Sequence, residues 1–170
     1  DPRRLLPETR TLALWGIVLN TELLLVMLYV LLLPGATTDP VVLGFPLVWL
    51  NVAGLVFLHV RPAPVSTRRR ALAALVALGY GLVLGYVGGV FGLGGQGTGL
   101  RFVLAAPPGF SPTVVYSGAP LAVVLTPWKV AGYLALSYLV YVTVVDASGG
   151  IAGGVLGLFS CVSCVLPIIA

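Results

Sequence analysis

Charge is the scarcest thing in this chain. Asp, Glu, Lys and Arg make up only 8% of its 170 residues, where a soluble domain carries about 25%. With so few charges, most of the surface cannot face water. The chain also has a single histidine and only two cysteines. No Ser-His-Asp arrangement and no suitably spaced carboxylate pair can be drawn from it, so hydrolase chemistry has no support. The Gly-rich run from Gly92 to Gly99 lacks the Gly-Lys-Ser/Thr ending of a phosphate loop and has no strand expected before it, which excludes nucleotide binding. No soluble face exists to display a basic patch, which excludes nucleic acid.

What remains is apolar. Hydrophobic residues account for 59% of the chain, and the mean hydropathy is +1.09. A bilayer needs about 20 apolar residues per helical span. The sequence offers such runs at Thr11 to Leu33, Val41 to Val60, Ala71 to about Gly92, Pro127 to about Val145, and from Ile151 onward. The expected fold is therefore an all-α integral membrane protein with five visible transmembrane helices, forming a single membrane-embedded domain over residues 1–170. The first run is too long for a signal-peptide core and has no small-residue cleavage site after it, so it is read as a retained span. The chain begins at Asp1 without Met and stops at Ala170 inside an apolar run. The expectation is a C-terminal truncation, with a sixth span to follow.

The net charge of +4 matters less than where the charges sit. Arg3, Arg4 and Arg10 precede the first run; Arg61, Arg68, Arg69 and Arg70 lie between the second and third. By the positive-inside rule, both groups are cytoplasmic and the protein belongs in the cell membrane with its N-terminus inside. The partner this implies is the lipid bilayer, with other membrane subunits as further candidates. The third run carries Ala73, Ala77, Gly81, Gly85 and Gly89 at four-residue spacing, a small-residue face that lets another helix approach closely.

Residues 100–126 are apolar but broken by Pro107, Pro108, Pro112 and Pro120, so they cannot form one helix. Arg101 to Ala105, Thr113 to Tyr116 and Leu121 to Leu125 have strand composition, with Pro-Pro-Gly as a turn between the first two. They predict a small β-hairpin or meander capping the outer surface; a re-entrant segment is the competing reading. Thr126 reads as the N-cap of the next helix, with Pro127 at its first position and Trp128 and Lys129 marking an interface. On that helix Tyr133, Ser137 and Tyr141 share a face, where packing is the simplest role.

The candidate site residues are Cys161, Cys164 and Glu22. The two cysteines are three positions apart on the small-residue side of the fifth run, with Gly153, Gly157 and Ser160. A helical Cys-x-x-Cys can bind a soft cation such as copper(I), or cycle between dithiol and disulfide. Two thiolates do not complete a zinc site. The plain alternative is that they are small packing residues. Glu22 lies at the midpoint of the first run, where an acid costs ~2.5–3.5 kcal/mol on insertion scales. It is either protonated or paired, as a proton relay or metal partner, or as one end of a hydrogen bond to a polar neighbour such as Asn51. His59, beside the cytoplasmic arginines, reads as an interfacial, solvated residue.

Asn20-Thr-Glu-Leu, Arg61-Pro-Ala-Pro, Tyr116-Ser-Gly followed by Pro127-Trp-Lys-Val-Ala-Gly-Tyr, Tyr138-Leu-Val-Tyr and Leu158-Phe-Ser-Cys-Val-Ser-Cys together resemble a family of small multispanning membrane proteins of halophilic archaea. The resemblance covers most of the chain, and the Ser-Cys-Val-Ser-Cys core is its most specific part. The family carries no established activity, so what it implies is architecture, with a loop and one more span after Ala170. More locally, Cys164-Val-Leu-Pro is similar to an element of membrane thiol electron transporters, which pass reducing equivalents outward through two intramembrane cysteines. In those proteins the pair comes from two repeat-related helices; here Cys161 is one turn away and no repeat is visible. Two expectations follow. One is a polytopic protein handling thiol reducing equivalents or copper through Cys161 and Cys164, with Glu22 as proton or metal partner. The other is a non-catalytic accessory or assembly subunit of a larger membrane complex, a transporter or respiratory oxidase.

Overall fold

A computed structural model describes residues 9–94, 97 and 99–146. Four helices lie in this stretch: α1 Thr9–Leu32, α2 Pro40–His59, α3 Thr67–Val87 and α4 Pro127–Asp146. Each is long and apolar enough to cross a membrane, at 1.5 Å per residue about 30–36 Å. Between α3 and α4 lie four strands: β1 Phe91–Leu93, β2 Gly99–Val103, β3 Thr113–Ser117 and β4 Leu121–Leu125. The protein is thus mostly helical with a small antiparallel sheet. The expected fifth span lies outside the described residues, as do Cys161 and Cys164.

Local chemistry sets the helix ends. Asp39 caps α2, its side chain accepting from the Val41 N–H at 2.8 Å, with Pro40 at the first helical position. Val60 is extended, and Pro62 and Pro64 follow, so α2 cannot continue. The third helix starts earlier than expected, at Thr67 rather than Ala71, which puts Arg68, Arg69 and Arg70 in its first turn and not in a loop. Three positive charges at a helix N-terminus oppose the macrodipole.

α3 also ends earlier than its apolar run. The helix stops at Val87, Gly88 donates back to the Leu84 carbonyl at 2.7 Å, and Gly89 takes φ +69. A left-handed glycine after the last turn is a common helix stop. It redirects Phe91–Leu93 into β1, although the apolar run predicts helix to about Gly92. The other three strands fall close to their expected places, with β2 two residues earlier. The sheet order is β1-β4-β3-β2, all antiparallel. β2, β3 and β4 form the expected meander, and β1 adds itself beside β4.

The sheet sits where α3 ends and α4 begins. The β2–β3 loop folds onto α2: a Cβ on Gly109, which has φ +87, would lie 2.5 Å from the Pro46 side chain. Only glycine suits both that backbone and that approach. The Gly109 carbonyl accepts from the Trp128 N–H at 3.2 Å, and the Trp128 ring stands edge-on to Phe45 and Phe110, 5.2 and 5.8 Å away. The Thr126 carbonyl accepts from the Val130 N–H, the position expected of an N-cap.

α4 lies between α2 and α3 and packs on both. On the α2 side, Gly132 faces Trp49, whose ring would be 3.1 Å from an added Cβ; on the α3 side, Gly81 faces Ser137, whose Oγ would be 2.7 Å away. Ala73, Ala77 and Gly85 of the small-residue stripe are buried, and Leu84 beside them is buried as well. At the far end, Tyr138 Oη donates to the Val60 carbonyl at 3.0 Å, and Asp146 accepts from the Ala63 N–H at 3.0 Å. α1 contributes no buried residue.

Replacing Gly81 with Leu should therefore lower the melting temperature in detergent, since overpacking a filled contact costs ~1–3 kcal/mol. Gly79 has open space around it, so Gly79→Leu on the same helix should leave the melting temperature unchanged. Equal losses from the two would mean that α3 and α4 do not meet at Gly81.

Candidate functional site

Four polar residues of α1 and α2, Thr11, Glu22, Asn51 and His59, line one cleft. Thr11, Trp15, Val18 and Glu22 fall on one stripe of α1, and Leu47, Asn51, Gly54 and Leu58 on one stripe of α2, each at alternating spacings of three and four. Where the stripes meet, Asn51 Nδ2 donates to both carboxylate oxygens of Glu22, at 2.7 and 2.9 Å. The same nitrogen donates to the Leu47 carbonyl at 2.9 Å. An amide carries two N–H donors, so one serves the helix and the other is forked across the carboxylate. No basic side chain pairs with Glu22 among the described residues.

The pair lines a cavity of about 520 Å³ between the two helices. Its wall runs from Glu22 to Thr11 on α1 and from Leu50 to His59 on α2. At 1.5 Å per residue, this is a cleft about 14–17 Å long. It leads from the middle of α1 to the helix ends that border Arg10 and Arg61. Gly54 leaves one side open, since nothing lies within 4 Å of where its Cβ would be. His59 stands at the outer end, exposed, with Nδ1 3.2 Å from the Leu55 carbonyl of its own helix.

Of the expected site residues, the structure thus brings Glu22 to Asn51, the pairing open to it on sequence grounds. His59, read as a solvated residue, is exposed but shares the cleft with Glu22. Its signal was a register one: His59 is eight residues after Asn51, two turns along nearly the same face. Asn20 is exposed and takes no part, because residues two apart on a helix do not face the same way. Cys161 and Cys164 lie outside the described residues. Among the described residues, no group of three or more His, Cys, Asp or Glu side chains is placed to hold a metal ion. The Gly-rich run does have a strand at its start, β1, contrary to expectation, but β2 follows it and not the N-terminus of a helix.

What this arrangement can do chemically is limited and specific. A carboxyl with one amide partner has lone pairs to spare and can take up a proton or a small cation arriving along the cleft. It cannot by itself run nucleophilic or hydrolytic chemistry, which needs a base and an orienting group.

The chain belongs to a family of unknown function, DUF7546, which it matches over residues 1–170. No curated protein and no solved structure matches it.

The bond between Glu22 and Asn51 is also the one side-chain hydrogen bond between α1 and α2 among the described residues. Interhelical side-chain bonds in membranes average ~0.6 kcal/mol and reach ~1.7. A double-mutant cycle with Glu22→Ala and Asn51→Ala, followed by unfolding in detergent, should give a coupling energy in that range. Additive losses would show that the two side chains do not act together.

Proposed function

We propose that this is a multi-pass protein of the cell membrane, N-terminus inside, in which Glu22 binds and releases a proton within the membrane. One observation carries the reading: a carboxylate at mid-helix, held among the described residues by Asn51, at the inner limit of a cleft that leads to the basic helix ends. In hydrocarbon such a group is costly and marks a functional site by default. The arginines in the first turn of α3 support the orientation. They oppose the helix dipole, and retention on the cytoplasmic side is a reason for them to be there.

The thiol pair completes the proposal. Closing Cys161 and Cys164 to a disulfide by exchange with an oxidised disulfide partner reduces that partner to a dithiol, and the two thiol protons end on the partner's two sulfurs. Glu22 would carry one of them in transit, taking it from the attacking thiol and giving it to the leaving thiolate. A copper(I) load on the same two thiolates is the other form of this reading, with release of both protons on binding. The likeness of Cys164-Val-Leu-Pro to membrane thiol electron transporters and the resemblance to small archaeal membrane proteins both belong here, as support for a membrane thiol protein.

A second reading is favoured by α1. It buries none of its residues, and Leu19, Leu23, Leu31 and others along it are more than half exposed. A helix left so bare suits an accessory subunit whose α1 docks on a larger membrane complex. That reading makes co-purification of a stoichiometric membrane partner the rule.

Dicyclohexylcarbodiimide, which partitions into lipid and adds to protonated carboxyls, tests the leading reading. In native membranes it should label the protein at Glu22, and Glu22→Gln should abolish the label. A water-soluble carbodiimide applied from the outside should leave Glu22 unmodified. Absence of lipid-side labelling in the folded protein would sink the proposal.

A further inference from the structure

A second concavity lies elsewhere in the bundle, and its chemistry differs. It is an apolar groove of about 470 Å³ between α3 and α4. Ala74, Gly81 and Gly85 form one wall; Tyr133, Ser137 and Tyr141 form the other. Phe91 and Leu125 of the sheet close one end. The groove exists because α3 presents Ala and Gly where α4 presents rings. No charged residue lines it.

Its length and its flank identify what fits. The walls span Ala74 to Gly85 and Val130 to Tyr141, in each case about 16 Å of helix. That is close to one leaflet of a hydrocarbon core about 30 Å thick. At the sheet end stands Lys129, four residues before Tyr133 and eight before Ser137, hence on the same face of α4. Its ammonium donates to the Gly88 carbonyl at 3.0 Å and lies 5.7 Å from the Trp128 ring centroid. Gly88 is also where the Tyr133 hydroxyl packs. An ammonium has three N–H donors, and one is spent on Gly88, leaving two to face a ligand. Trp and Lys side by side are the usual markers of the headgroup level.

We propose that this groove holds one phospholipid of the leaflet on the sheet side, with an acyl chain along Gly81, Tyr133 and Ser137 and its phosphate on Lys129. This inference rests on the membrane-spanning reading given above. An uncharged lipid would satisfy the groove but leave the ammonium without an anion. A second copy of the chain would have to bring an acidic residue to Lys129 and a narrow apolar ridge to the groove.

The test uses the full chain reconstituted in vesicles of equal parts phosphatidylglycerol and a galactosyl diacylglycerol with the same acyl chains. Mild detergent extraction and native mass spectrometry then count the lipids retained. The wild type should keep one phosphatidylglycerol in preference to the glycolipid. Lys129→Gln should reduce that preference about fivefold, the scale of one basic side chain against an anionic lipid, and Lys129→Arg should restore it. Ala74→Phe should lower retention of both lipids, while Leu72→Phe, off the groove, should not. An unchanged preference in Lys129→Gln, no retained lipid, or a dimer mass in place of the lipid adduct each overturns the inference. A chain released from vesicles by alkaline wash would fail the membrane reading itself. A chain that stays with the vesicles yet keeps no lipid fails this inference alone.

Discussion

α4 is the element on which the others are registered. It lies between α2 and α3, and its place depends on two close approaches: Gly132 under Trp49, and Gly81 against Ser137. Backbones that approach this closely gain packing on both sides without a hydrophobic driving force, which is how helices associate in lipid. The far end is tied by polar bonds, Tyr138 to the Val60 carbonyl and Asp146 to the Ala63 N–H. The near end is tied by the sheet and its loop, through Gly109, Pro46 and Trp128. Once α2 is held against α4, the position of Asn51 is set, and with it the position of Glu22.

α1 stands apart from this core. It buries nothing, and its one side-chain hydrogen bond to α2 among the described residues is the one between Glu22 and Asn51. This division gives the molecule a packed three-helix part and a fourth helix with few contacts among the described residues, with the polar cleft at the seam. A group that must exchange a proton benefits from such a place. A deeply packed carboxyl would be cut off from water, and a lipid-facing one would have no partner to hold it. The two concavities divide the chemistry accordingly: the cleft at α1 and α2 contains Glu22, Asn51 and His59, while the groove at α3 and α4 is apolar along its length.

Much of this was legible in the residues because long apolar helices announce themselves by length and by lack of charge. The helices follow from the long apolar runs, with Thr126-Pro127 marking the start of α4; β3 and β4 follow from β-branched residues between prolines. Asn51 was readable as a partner for Glu22 because few polar residues interrupt the first two runs, and each leaves the other the cheaper alternative to hydrocarbon. Other features were not readable. Phe91 and Gly92 continue the apolar run of α3, and the turn at Gly88-Gly89 directs them into β1. The arginines at 68–70 belong to α3, although their charge reads as loop. The cleft reaching His59 depends on helix register, and the bond from Lys129 to Gly88 joins elements separated by a whole sheet. Tertiary placement made those, and no local pattern carries them.

The central claim is a one-sided path from the basic helix ends to Glu22, and cysteine accessibility along α1 measures it directly. In a chain with Cys161→Ser and Cys164→Ser, single changes Thr11→Cys, Val18→Cys and Leu25→Cys would be treated in oriented vesicles with a membrane-impermeant thiol reagent on one side at a time. Thr11 and Val18 line the cleft below Glu22; Leu25 lies beyond it. The account predicts labelling of Thr11→Cys and Val18→Cys from the cytoplasmic side only, and of Leu25→Cys from neither side. Labelling of Val18→Cys from the outer side, or no more labelling at Val18→Cys than at Leu25→Cys, would contradict it.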